Sequence, residues 1–169
     1  NERFILIHYH EIGLKGKNRG TFERRLMINI NRALKDVPCG KVQRLSGRMM
    51  LALTPESPTG VIRERLSTVF GIANFSEAVV VERNIEAIRE TAWALAQKAE
   101  FESFKMVTKR GDKTFPLDSN EINRDVGFHI QNLSGARVQM DNPDLTCFVE
   151  IAQKQIFIYA EKIPAPGGL

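Results

Sequence analysis

Hydrophobic and polar positions follow two periods along this chain. Residues Arg3-Phe-Ile-Leu-Ile-His-Tyr-His10 are β-branched and aromatic and stop before the glycines at 13 and 16, which predicts a strand. From Thr21 to about Lys35 the apolar residues Phe22, Leu26, Ile30, Ala33 and Leu34 recur every three to four positions with Arg24, Arg25, Asn31, Arg32 and Lys35 between them, an amphipathic helix closed by Pro38 and Gly40. Val42–Ser46 and Met49–Thr54 flank Gly47-Arg48, a hairpin signal. After Pro55 and Pro58, apolar positions 62, 66, 69 and 70 predict a helix over Val61–Phe70 that ends at Gly71. Phe75–Val81 reads as another strand. The order is β-α-β-β-α-β, the split βαβ or ferredoxin-like pattern.

The second half opens with Asn84 as a helix N-cap, followed by Ile85, Ile88, Ala92, Leu95 and Ala99. Phe104–Lys109 predicts a short strand, and Arg110–Leu117 a basic loop broken by Gly111 and Pro116. Asp118 with Glu121 three residues later forms a capping box. Ile122, Val126, Ile130 and Leu133 give the buried stripe of that helix, and Gly135 its left-handed exit. A brief strand over Arg137–Met140 and a hairpin of Thr146–Ala152 with Gln155–Ala160 complete the pattern. The fold class expected is α+β: a ferredoxin-like domain over residues 1–82, an α/β domain over 83–163, and a linker-like tail over 164–169.

Composition narrows the class. With 43% hydrophobic and 26% charged residues in a chain of 169, disorder and low-complexity repeats are excluded. No run approaches the ~18 apolar residues of a membrane helix, and no signal-peptide pattern opens the chain. Two cysteines without ligand spacing suit a reducing, cytoplasmic setting.

Charge changes the picture more. Residues 1–82 carry 13 Lys/Arg against 8 Asp/Glu, while residues 83–169 carry 11 against 12. Lys15, Lys17, Arg19, Arg24 and Arg25 face only Glu23 across eleven residues, and Lys105, Lys109, Arg110 and Lys113 face only Asp112. Clustered cations attract polyanions, so nucleic acid is a candidate partner. The Gly- and Lys-rich segment from Glu11 to Gly20 is neither a Walker A loop nor a Rossmann fingerprint. It reads either as an RNA-backbone contact or as an ordinary exposed turn. Lys109-Arg110-Gly111-Asp112-Lys113 precedes a capped helix, where dipole, cations and glycine converge. Phe115 has two readings, a stacking platform for an unpaired base or a hydrophobic staple. Asn123 and Arg124 lie in the first turns of the helix. His8, His10 and Glu11 have zinc-ligand chemistry, but ordinary strand side chains are the better reading, so no metal site is assigned. No nucleophile elbow, carboxylate dyad or His/Cys pairing appears, so no catalytic residue is assigned either.

The run His10-Glu-Ile-Gly-Leu-Lys-Gly-Lys-Asn-Arg19, then Phe22-Glu23, resembles the start of the tRNA 4-thiouridine synthetase family, also called the thiamine-biosynthesis sulfurtransferase family. Phe104-Lys-Met-Val-Thr-Lys-Arg110, with Lys113, Phe115-Pro116, Ser119, Glu121 and Val126-Gly127, resembles the THUMP domain of the same enzymes. Asn142-Pro-Asp144, Glu150 and Pro166-Gly-Gly-Leu169 match as well. The resemblance implies a ferredoxin-like domain followed by THUMP, together holding the tRNA acceptor stem and its 3′ CCA end for thiolation of uridine 8. It further implies an adenylating domain beyond Leu169, where ATP and Mg would bind, so no cofactor is expected within these residues. Lys109, Arg110, Lys113, Phe115, Asn123 and Arg124 would then meet the CCA end, and Lys15, Lys17, Arg19, Arg24 and Arg25 the stem. The resemblance also makes a homodimer a candidate assembly, since family members are often dimers. The competing expectation is a ferredoxin-like self-association or ligand-sensing module with no RNA partner.

Overall fold

A computed structural model describes residues 2–10, 17–45, 47–160 and 163–164. Two compact units divide within one strand, between Ser76 and Glu77.

The N-terminal unit runs β1 (Arg3–Tyr9), α1 (Lys17–Ala33), β2 (Val42–Leu45), β3 (Arg48–Ala52), α2 (Thr59–Leu66) and the first half of β4 (Ile72–Val81). Strand order β2-β3-β1-β4 is that of a ferredoxin-like sheet, with β1 and β3 antiparallel in the register Ile5↔Leu51 and Ile7↔Met49. Because side chains alternate along a strand, Ile5, Ile7 and Tyr9 share one face. They meet Leu26 and Ile30 of α1 and Ile62 and Leu66 of α2 in one core. Helix α1 is described from Lys17, ahead of the expected Thr21, and runs through Gly20. Helix α2 ends at Leu66 instead of Phe70, and turns carry the chain onward into β4.

The C-terminal unit takes β4 from Glu77, then α3 (Ile85–Ala96), β5 (Ser103–Arg110), α4 (Ser119–Ser134), β6 (Arg137–Val138), β7 (Leu145–Ile151) and β8 (Ile156–Tyr159). Its strands order β4-β8-β7-β5-β6, with β5 parallel to both β6 and β7. Phe104 and Met106 of β5, Ile88 and Ala92 of α3, and Ile122, Val126 and Ile130 of α4 share its core. Leu133 departs from the expected stripe and stands 52% exposed. A last strand, β9 (Ile163–Pro164), pairs antiparallel with Asn74 and Phe75 of β4. Residues 165–169 lie outside the described residues. Among the described residues no helix is long and apolar enough to cross a membrane.

Candidate nucleic-acid interface

The C-terminal unit builds its site where β5 hands over to α4. Gly111 follows the strand, and its amide and that of Asp112 both donate to the Ile151 carbonyl, at 2.8 and 3.0 Å. A Cβ at Gly111 would stand 3.1 Å from that oxygen, so glycine lets the turn close on β7. The Asp112 carboxylate accepts from the Thr114 hydroxyl at 2.6 Å and the Thr114 amide at 3.0 Å, and Arg83 pairs with it at 2.7 Å. The Thr114 hydrogen bonds, with help from Arg83 and Arg110, hold this carboxyl below its ordinary value of 3.8. A lowered value means the support is complete above the ordinary pKa and is lost as pH falls through the lowered one. In an NMR titration the Thr114 amide should therefore report a midpoint below 3.8. A midpoint at or above that value would remove Asp112 as the loop's support.

Arg110 also has a structural part that the sequence did not show. Its Nη2 donates to the carbonyls of Lys113 (2.8 Å) and Phe115 (2.9 Å), so the guanidinium is first a clamp on the loop. Phe115 is pulled into the core at 4% exposure, and the Arg83 guanidinium sits 5.9 Å from its ring centroid. That corrects the stacking reading: the ring has no face left for a base. Lys109 is also separated from its neighbour. Alternation on β5 sends it to the opposite face of the sheet from Arg110, 5.9 Å from the Phe148 ring centroid.

What the loop brings together is a hollow of about 390 Å³ lined by Arg110, Lys113, Asp118, Ser119 and Asn120. Asp118 caps α4 by accepting from the Glu121 amide at 2.8 Å, and Glu121 returns the bond to the Asp118 amide at 3.0 Å. The cap sets two carboxylates at the helix mouth, which offsets part of the dipole counted on from the sequence. The amides of Ser119 and Asn120 remain without a partner among the described residues, as the first positions of a helix do. Lys113 is exposed beside them. The hollow thus offers two amide donors and two cations to an anion, with the Ser119 hydroxyl at its rim.

Arg124 lies one turn beyond Asn120 on the same face of α4 and is exposed. Asn123 faces the sheet, where its Oδ1 accepts from the Thr108 hydroxyl at 2.7 Å. Ser119 and Asn120 went unassigned in the sequence, although their place as the first two residues after the Asp118 cap marks them. Arg83 was also missed, being 29 residues from the Asp112 it pairs with.

In the N-terminal unit, Lys15 lies outside the described residues and only the backbone of Lys17 is described. Arg24 and Arg25 are exposed on α1, and Arg24 reaches Thr21 at 3.5 Å. Arg19 is half-buried and takes part in an interaction of its own. Glu23 does not offset these cations at the surface. It is buried, and its carboxylate is taken by the Tyr9 hydroxyl and by Arg44 at 3.1 Å.

Residues 4–76 match the family described as ThiI ferredoxin-like domain, and residues 82–161 match the THUMP domain. The probable tRNA sulfurtransferase of Natranaerobius thermophilus is 40% identical over 98% of this chain and 42% of its own length. That of Moorella thermoacetica is 36% identical with the same coverage. The chain spans about two-fifths the length of the curated relatives it matches. A 4-thiouridine synthetase crystallised with RNA and ATP superposes with a TM-score of 0.87 at 29% identity, over 100% of this chain and 43% of that one. A Pyrococcus horikoshii protein gives the same TM-score at 36% identity, over 99% of this chain and 56% of its own. Built of a ThiI ferredoxin-like domain followed by a THUMP domain, the chain belongs to the tRNA sulfurtransferase (4-thiouridine synthetase) family and corresponds to the part those two domains form.

Proposed function

We propose that this chain is the tRNA-holding module of a tRNA sulfurtransferase, gripping the acceptor stem and the single-stranded 3′ CCA end while uridine 8 is thiolated by other parts of the parent enzyme. The observation that carries the reading is the hollow at the mouth of α4, where Lys113 and Arg110 surround the unspent amides of Ser119 and Asn120 inside a THUMP domain. A phosphate of the 3′ strand accepts from the two amides, and Lys113 neutralises it. Arg124 meets the next phosphate along the helix. Recognition of this kind reads shape and an unpaired end rather than base edges. ATP and Mg belong to the parent's adenylating chemistry; these residues bind and orient.

The test compares a tRNA transcript with the same transcript lacking CCA. The intact RNA should bind about fivefold tighter or more, and log affinity should fall linearly with log salt. Lys113→Glu should erase most of that preference, costing about fivefold on the intact transcript and little on the truncated one. Equal affinity of the wild-type chain for both transcripts would reduce the reading to general polyanion attraction. An oligomer on gel filtration that forms without RNA and ignores added tRNA would favour the self-association module instead.

A further inference from the structure

The N-terminal unit carries a second hollow, of about 420 Å³, between the later half of α1 and the turn joining α2 to β4. Arg25, Asn29 and Arg32 line one wall, and their spacing of four and three places them in one stripe along about 10 Å of helix. Thr68 and Phe70 line the other. Both arginines are exposed, and neither has a protein partner among the described residues. The carboxylates within reach by sequence are spent: Glu23 on Tyr9 and Arg44, Asp36 on Arg65 at 2.8 Å. Arg65 also donates to the Ala33 carbonyl at 2.9 Å, which fixes the exit of α2 against the end of α1. Phe70 stands 61% exposed while Val69 and Ile72 on either side are buried at 6% and 0%. Its buried neighbours hold the ring out in water on a fixed frame.

From this we infer that the α1–α2 hollow binds a second stretch of the same RNA, with Arg25 and Arg32 on backbone phosphates and Phe70 against the face of an unstacked base. The inference rests on the RNA-binding reading above and adds a contact remote in sequence from α4. Charge complementarity selects the occupant. Exposed guanidiniums beside a bare aromatic ring suit a strand that alternates anions with flat apolar faces. An acidic peptide supplies the anions without the faces. A second copy of this chain, meeting the same patch across a two-fold axis, would set Arg25 and Arg32 against themselves.

The experiment uses the full chain and both tRNA transcripts, with and without CCA. Arg25→Ala combined with Arg32→Ala should weaken binding about tenfold on both transcripts and lower the salt slope by about 1.5. Phe70→Ala should weaken both about fivefold or more with the slope unchanged, and Phe70→Trp should restore binding. All of these residues are exposed, and circular dichroism checks that each variant is folded. Groove variants that bind within twofold of wild type, while Lys113→Glu keeps its loss on intact tRNA, would overturn this inference and leave the 3′-end reading standing. The converse pattern, with groove variants impaired and Lys113→Glu indifferent, would support the groove and remove the 3′-end site. An RNA-free dimer that Phe70→Ala dissociates would overturn the inference in favour of self-association.

Discussion

Arg110→Glu should lower the affinity of this chain for intact tRNA about 100-fold, some 2.7 kcal/mol, a larger loss than Lys109→Glu or Lys113→Glu produces. Three effects act together. The Arg110 guanidinium donates to two backbone carbonyls, those of Lys113 and Phe115, and charge-assisted hydrogen bonds of this kind are each worth about 1.5–3 kcal/mol. A carboxylate in its place repels both carbonyls, so the loop that presents Lys113 loses its clamp. The charge beside the α4 hollow also falls by two units where a phosphate is to sit. Arg110→Lys separates clamp from charge, since an ammonium keeps the positive charge but lacks the planar fork that reaches two acceptors. It should recover part of the affinity while the Thr114 amide, whose hydrogen bond to Asp112 senses the loop, stays perturbed. Full recovery by lysine would show that charge alone matters. A loss under fivefold in Arg110→Glu would remove Arg110 from the interface.

Much of this was legible in the sequence because the determinants are local. The Asp118–Glu121 capping box, the Asn84 cap on Ala87 and the left-handed Gly135 at φ 76° each depend on residues within one turn, and each stands where the pattern placed it. The βαββαβ order follows from the alternation of two periods, and the sheet order β2-β3-β1-β4 follows from that connectivity. The candidate site was legible as a neighbourhood but not as a constellation. Lys109 and Arg110 are adjacent cations in the sequence, yet β5 runs through both, so the pleat sends one to each face. Phe115 reads as a platform or, more readily, as a staple, and the structure settles it for the staple, with its carbonyl held by Arg110 and its ring covered by Arg83. The role of Glu23 was hidden for the same reason: its partners Tyr9 and Arg44 lie 14 and 21 residues away.

Phe104→Ala, by contrast with any surface change, should destabilise the C-terminal unit by about 3–5 kcal/mol, a large share of the roughly 5–15 kcal/mol that holds an ordinary domain. Phe104 is fully buried on β5 and meets the Phe101 ring edge-on at 5.9 Å; its backbone carbonyl also accepts from the Gln139 amide at 2.9 Å. Truncation removes a large apolar surface and leaves a cavity that the flanking strands cannot close, because their register is fixed by Leu145 on one side and Val138 on the other. Leu133→Ala is the matched control. Periodicity alone places Leu133 in the same stripe as Ile130, but it counts the angle around the helix and not what lies beneath. At the last turn of α4 the neighbouring strand β6 is two residues long and both are exposed. Leu133→Ala should therefore change stability by no more than about 0.5 kcal/mol. Since β5 also carries Arg110, the Phe104 variant should lose tRNA binding at temperatures where the unit melts and regain it on cooling. Equal melting shifts for the two variants would mean that the α4 stripe extends to the end of the helix and that Leu133 belongs to the core.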